Sequence, residues 1–313
     1  MTPPGLPVAV HEFLVAPVAI LLAFLHARAA LGTRRAAGEL LTLAAYGFAL
    51  ERISMSAFGS HRYGPGWVLA PLGVPIAVAL VWAAVISSAL ALAARRGLRP
   101  AAARSVAAAL FAVTLDLTIE PVAVRRGLWE WTPPGPWLGV PVGNFVGWVV
   151  IVAGYGIGAE RWAGGGRFAT EAIRRLLLAA TALAALIAVG MLWTRLGMEA
   201  ALGRRGGWLA WGLVLVTTAA LGLRRAPPFT AATTELIGCT AATTELIGCE
   251  GDTLAGRLGA TPGIGPGLVL LAVATAFAAE AALVGDAMIG LVALGTALAL
   301  FPLLRPSETA SSG

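Results

Sequence analysis

Nine apolar runs, most near the ~20 residues a helix needs to cross a bilayer, fill most of this chain and leave it few ways to fold. They fall at about residues 12–31, 37–56, 68–94, 102–123, 140–159, 174–194, 207–223, 265–284 and 286–304. The second is short and polar at its end. The last two are separated only by Gly285-Asp286, which suits either one broken helix or a tight hairpin. A membrane β-barrel needs short alternating segments, and these runs do not alternate. Only 12% of residues are charged, against about 25% in a soluble domain. The expected fold is all-α: a polytopic transmembrane helical bundle of about 7–9 spans.

Three regions follow. Residues 1–225 form the main bundle of about seven spans, of the kind that carries catalysis. Residues 226–264 are a Pro/Gly/Thr-rich linker, and 265–313 hold two further spans and a short polar tail. The linker contains a perfect tandem copy, TAATTELIGC at 230–239 and again at 240–249. Its period is far shorter than that of a solenoid repeat, so it reads as a duplication in a tolerant loop. The two cysteines, Cys239 and Cys249, lie in it. Zinc wants about four ligands at characteristic spacings, so no metal site is expected. No basic residue precedes the first apolar run, unlike a signal peptide, and Phe13–Ala30 reads as the first span.

The formal charge of +6 comes wholly from arginine, since the chain has no lysine. The arginines sit between the spans, where they mark topology and meet lipid headgroups. Nucleic acid is therefore not an expected partner. With the N-terminus outside, 15 of the 22 arginines fall on inside connections and seven outside, which favours N-out, C-in. Alternation alone puts the loops at 57–66 and 124–139 on one side of the membrane. The absence of lysine excludes a retinal Schiff base.

The chemistry concentrates in Thr114–Trp148. Asp116 and Glu120 lie inside an apolar run, where each acid costs roughly 2.5–3.5 kcal/mol. Four residues apart, they share one helix face, which must turn into the bundle. Desolvation and mutual repulsion favour one protonated and one ionised carboxyl, an acid/base arrangement. The bland alternative is a structural pair bonded to neighbouring helices. Pro121 suits a kink or a helix end. Trp129, Trp131 and Trp137 follow in a loop. They make an interfacial belt, a cap over an apolar ligand, or a π face for a carbocation. Asn144, near Trp148, needs a partner for its amide: the carboxylates, a water, or another helix.

Glu51 and His61 flank the other loop on that side, in LERISMSAFGSHRYG with Tyr63. His61 is suited to moving protons near neutral pH, although a lone loop histidine is more often simply solvated. His11 and His26 show no evident partner. Glu280, in the eighth span, is a lesser intramembrane acid.

At these residues the chain resembles the carotenoid biosynthesis membrane-protein family. Its characterised members are hydratases of bacteria and archaea, of the bisanhydrobacterioruberin hydratase and γ-carotene 1′-hydratase type. Three blocks carry the resemblance: Glu51 with FGSHRYG (58–64), LGVPIAVALVW (72–82), and TLDLTIEPVAVRRGLWEWTPPGPWLGVPVGNFVGWVV (114–150). It covers residues 40–160 well and the next two spans loosely. It implies an integral membrane enzyme, a hydro-lyase that adds water to a terminal C=C of an acyclic carotenoid and needs no cofactor. Asp116 or Glu120 would protonate the alkene. Trp129 and Trp131 would hold the tertiary cation, and the second carboxylate with Asn144 would deprotonate water. Glu51 would join the catalytic group, and His61, Tyr63 and Trp148 the substrate site. The partners implied are a lipophilic carotenoid or isoprenoid substrate and the bilayer. The residues carry no signal of oligomeric state.

Three other readings compete. A prenyltransferase would need a second acidic cluster for Mg²⁺ and diphosphate, which the chain lacks. A non-catalytic carrier or scaffold for carotenoids or other isoprenoid lipids would keep the polar cluster as structure. A secondary transporter would show symmetry between its halves, and none is present.

Overall fold

The computed structural model describes residues 5–96, 98, 100–162, 168–223 and 265–304. The duplicated linker and both cysteines lie outside the described residues. Among those residues there are nine helices and one two-stranded sheet. In order these are α1 (Val8–Leu31), α2 (Thr33–Phe58), β1 (His61–Tyr63), α3 (Ile76–Ala94), α4 (Ala101–Arg126) and β2 (Trp129–Trp131). Then come α5 (Val142–Trp162), α6 (Phe168–Arg195), α7 (Met198–Leu223), α8 (Gly265–Val284) and α9 (Ala287–Leu300). Seven of them are long and apolar enough to cross a membrane. The exceptions are α2, which carries Glu39 and Glu51, and α9, which has only 14 residues.

Helix α4 is the axis of the bundle. It packs on α3, α5, α7, α8 and α9 and is the most buried of the seven spans. The acid pair therefore sits on the helix that lipid reaches least. The last two helices pack into the same bundle, α8 against α1, α3 and α4. Gly285, in a left-handed conformation, and Asp286 resolve the junction between them as a tight hairpin. Asp286 caps α9 by accepting from the backbone of Met288 and Ile289.

Some boundaries differ from those the hydropathy suggests. The third span begins at Ile76, not 68, because Pro71 and Pro75 break the run into an irregular stretch with a 3-10 turn. Helix α4 runs past Pro121 to Arg126 and stops at Gly127 (φ 70°). Helix α7 starts at Met198, earlier than 207, with a break at Gly203. Helices α5 and α6 approach closely because α5 offers glycine along one face. Gly143 meets Trp193, Gly147 meets Leu186, Gly154 meets Ala182 and Gly158 meets Leu178, the small-residue packing usual where no water drives helices together.

Strands β1 and β2 pair antiparallel, His61 opposite Trp131 and Tyr63 opposite Trp129. This joins the loops at 57–66 and 124–139 directly, a step beyond the shared side that alternation gives them. The period of two in a strand turns His61, Tyr63, Trp129 and Trp131 inward. Arg62 and Glu130 turn out and form an ion pair. Gly64 lets the strands close: its N–H donates to the Leu128 carbonyl at 2.8 Å, and a Cβ there would stand 2.0 Å from the Gly127 carbonyl oxygen. Gly64→Ala must therefore part the strands, at about 1–3 kcal/mol for such overpacking. A lowered thermal midpoint in detergent checks this; an unchanged midpoint contradicts it.

Candidate functional site

Beneath the paired strands lies a cavity of about 600 Å³, walled by α2, α3, α4, α5, α6 and the loop after β2. That is the size of an ordinary small-molecule pocket. Its wall is mostly apolar, and its polar groups converge from five elements. Asp116, Glu120, Asn144, Glu51, His61, Tyr63, Trp129, Trp131 and Trp148 all line it.

Each carboxyl has its own donors. Glu120 is 6% exposed, and its Oε2 accepts the indole N–H of Trp129 at 3.0 Å and of Trp131 at 2.9 Å. Asp116 is 1% exposed; its Oδ2 accepts the Asn144 side-chain amide at 3.0 Å, while its Oδ1 is buried without a donor. Glu51 accepts from the Trp82 indole at 2.7 Å and pairs with His61 Nε2 at 2.9 Å. Trp82 in turn stacks on Trp148, ring centroids 3.8 Å apart. The indoles of Trp129 and Trp131 thus act first as hydrogen-bond donors, a role their sequence pattern does not announce.

His61 is buried, not solvated in its loop. Ser60 Oγ lies 2.9 Å from its Nδ1 and Glu51 takes its Nε2, so the ring is held from both sides. Burial opposes the imidazolium. The hydrogen bond and charge of Glu51, with the charge of Glu120 behind, outweigh it and hold the His61 pKa above its ordinary value. Tyr63 is pushed well above the usual tyrosine range by burial, then by the charge and hydrogen bond of Glu51 and the charge of Glu120. It therefore stays a phenol.

The sign for stability follows. His61 gains proton affinity on folding, so the pairing contributes fully below the unfolded value of about 6.5 and is lost as pH rises through the folded value. At pH 6, His61→Gln should cost about 1.5–3 kcal/mol, as for a hydrogen bond to a charged group. Thermal unfolding of both proteins across pH checks this: the gap between them should narrow toward alkaline pH. A gap that widens there contradicts it.

Residues with no role assigned from sequence brace the wall or the helices behind it. Glu199 accepts the backbone N–H groups of Val142 (2.7 Å) and Gly143 (3.0 Å) and the indole of Trp193 (3.1 Å). It caps α5, where a carboxylate suits the helix N-terminus. Glu12 accepts the backbone N–H groups of Val68 and Leu69, tying α1 to the loop before α3. His11 does have a partner: its Nε2 lies 2.8 Å from Glu280, which Arg126 also holds at 2.9 Å. Trp82 stood in the second motif block, and its position one helix away from Glu51 was the signal available. Among the described residues no group of three or more His, Cys, Asp or Glu is placed to hold a metal.

A mostly apolar cavity lined by two buried carboxyls and a set of indole donors thus lies within a bundle of helices long and apolar enough to cross a membrane. The model of the family described as "carotenoid biosynthesis protein" matches residues 10–204. That is well over half of the chain, which belongs to this family and so has a role in carotenoid biosynthesis. The match contains every cavity-lining residue named above, leaves out Glu280 behind the wall, and ends within α7. Comparison with curated proteins and with solved structures gives no match.

Proposed function

We propose that this chain is a carotenoid hydratase, adding water to a terminal double bond of an acyclic carotenoid to give a tertiary alcohol. The observation that carries the reading is the Asp116–Glu120 pair, buried on the central helix and lining an apolar cavity roofed by aromatic strands. A carrier needs the cavity but not two adjacent acids, whose burial is costly.

The roles divide by their donors. Two indole N–H groups face Glu120 and fit a carboxylate. Asp116, with one oxygen lacking any donor, is the better site for the shared proton. Asp116 gives that proton to the less substituted alkene carbon. The tertiary cation on the other carbon faces indole π surfaces, Trp148 and Trp82 among them. Water bonds to that carbon and passes its extra proton to Glu120. One water is consumed, and the pair again holds one proton, which returns from Glu120 to Asp116. Glu51 and His61 lie beside Glu120 and provide the route for resetting it; Asn144 keeps Asp116 in place.

No step in this sequence calls for a cofactor. The protein is read as residing in a bacterial or archaeal cell membrane with N-terminus outside and C-terminus inside. The test is direct. The chain is expressed in cells that make acyclic carotenoids, and extracts are searched for a mass gain of one water. Polyene retained by the purified protein without any such gain supports the carrier reading instead.

A further inference from the structure

Most residues lining the cavity are buried or half-buried. A few line it and are exposed at the protein surface too, and these mark where it opens. Thr132, Pro133 and Pro134 do so in the polar loop after β2, and Gly197 and Ala200 do so at the turn between α6 and α7. Phe58, 39% exposed at the end of α2, and Thr194, in the last turn of α6, do so on the flank of the bundle.

The flank is the weakly closed wall. Helix α6 lies along the glycines of α5 but touches α2 only over a short contact. At that contact the Phe58 ring covers Gly190: a Cβ on Gly190 would stand 3.6 Å from the ring. Val189, next to Gly190, and Leu186, one turn deeper, are half-buried and line the cavity as well. Beside this seam, Met191 and Leu192 are exposed and apolar, as a lipid-facing surface should be. The seam thus joins the cavity to the surface that faces lipid, whereas the Pro133–Pro134 rim joins it to the polar loops.

A conjugated polyene is stiff and cannot coil into a compact cavity of about 600 Å³. If its end group sits at the acid pair, its tail must leave through a wall. We propose that the seam between α2 and α6, closed by Phe58 over Gly190, is the lateral passage that holds the polyene tail. The position of the end group, and with it the need for a passage, rests on the hydratase reading; the geometry of the seam does not. Water then comes from the Pro133–Pro134 rim, so the two reactants arrive from separate phases.

Gly190 is the position to test because it is the thinnest point of the seam. Gly190→Leu puts a branched side chain into it. Gly190→Ala adds only an ordinary contact with Phe58, and Phe58→Ala widens the gap. Each full-length variant is purified in detergent from cells making a long acyclic carotenoid, and the polyene that co-purifies is measured per protein. Gly190→Leu should carry about tenfold less or lower, the scale of a misfit of one or a few methylenes in an apolar site. Gly190→Ala should match the wild type, and Phe58→Ala should carry at least as much. Gly190→Leu should still be stabilised against heat by a short acyclic terpene, which fits within the cavity.

Full polyene loading in Gly190→Leu overturns the passage. So does loss of the long and the short ligand alike, which would mean a damaged cavity. Failure of the wild type to retain any polyene overturns it as well. Polyene bound through a Gly190-sensitive passage but never hydrated overturns the hydratase reading alone.

Discussion

Asp116→Asn and Glu120→Gln should each abolish most water addition while leaving the protein folded and able to bind polyene. Each change keeps the shape of the side chain and an oxygen to accept the donors already there: the Asn144 amide for position 116, the Trp129 and Trp131 indoles for position 120. What each removes is the proton chemistry, and losing a positioned acid or base typically costs about 10²–10⁴-fold in rate. The measurement is hydrated carotenoid formed per unit of membrane protein, with co-purified polyene as the control for binding. The two are not independent, since they share one proton, so the double variant should be little worse than either single one. Trp131→Phe removes one of two donors to Glu120 and should be slowed less. If both amide variants keep the mass gain, the acid/base assignment is wrong. If only Glu120→Gln keeps it, Asp116 is the acid and the base lies elsewhere.

How much of this was legible beforehand depends on the range of each interaction. The acid pair stood out because a bilayer makes carboxyls expensive, and its shared face followed from helix geometry alone. That the two aqueous loops share one side of the membrane followed from alternation. Neither argument could say how they meet. The indole-to-Glu120 hydrogen bonds depend on β1 pairing with β2 in one register, and nothing in HRY or WEW taken separately specifies that pairing. For the same reason His61 could be read either as a site residue or as a solvated loop residue, and its clamp between Glu51 and Ser60 was not legible. The prolines at 71 and 75 sat inside an apolar run, where hydropathy outvoted their effect on the backbone. Pro121 misled in the other direction, for α4 passes through it to Gly127. Glu280 and His11 are 269 positions apart, so no local pattern could join them, and each looked unpartnered.

That last contact carries the second large effect. Glu280 is fully buried on α8; it lies in hydrogen-bond reach of His11, accepts the backbone N–H of Leu6, and forms an ion pair with Arg126 at the end of α4. Arg126 is itself nearly buried and also donates to the Leu6 carbonyl. Removing one member of such a pair leaves an uncompensated charge out of water, which costs about 3–5 kcal/mol. Glu280→Met should therefore lower thermal stability in detergent strongly, by about that amount. Replacing both partners with residues of similar volume removes the stranded charge, and buried pairs exchanged in this way are often near neutral. Glu280→Met with Arg126→Met should accordingly recover most of the loss, since Leu6 is only half-buried and water can take its backbone groups. A single variant as stable as the wild type would show that the pair does no such work. A double variant no better than the single would place the cost in His11 or Leu6 rather than in the charge on Arg126. Because α8 lies beyond the segment matched by the family, recovery in the double variant would also show that the C-terminal helices unfold together with the cavity-bearing bundle and not apart from it.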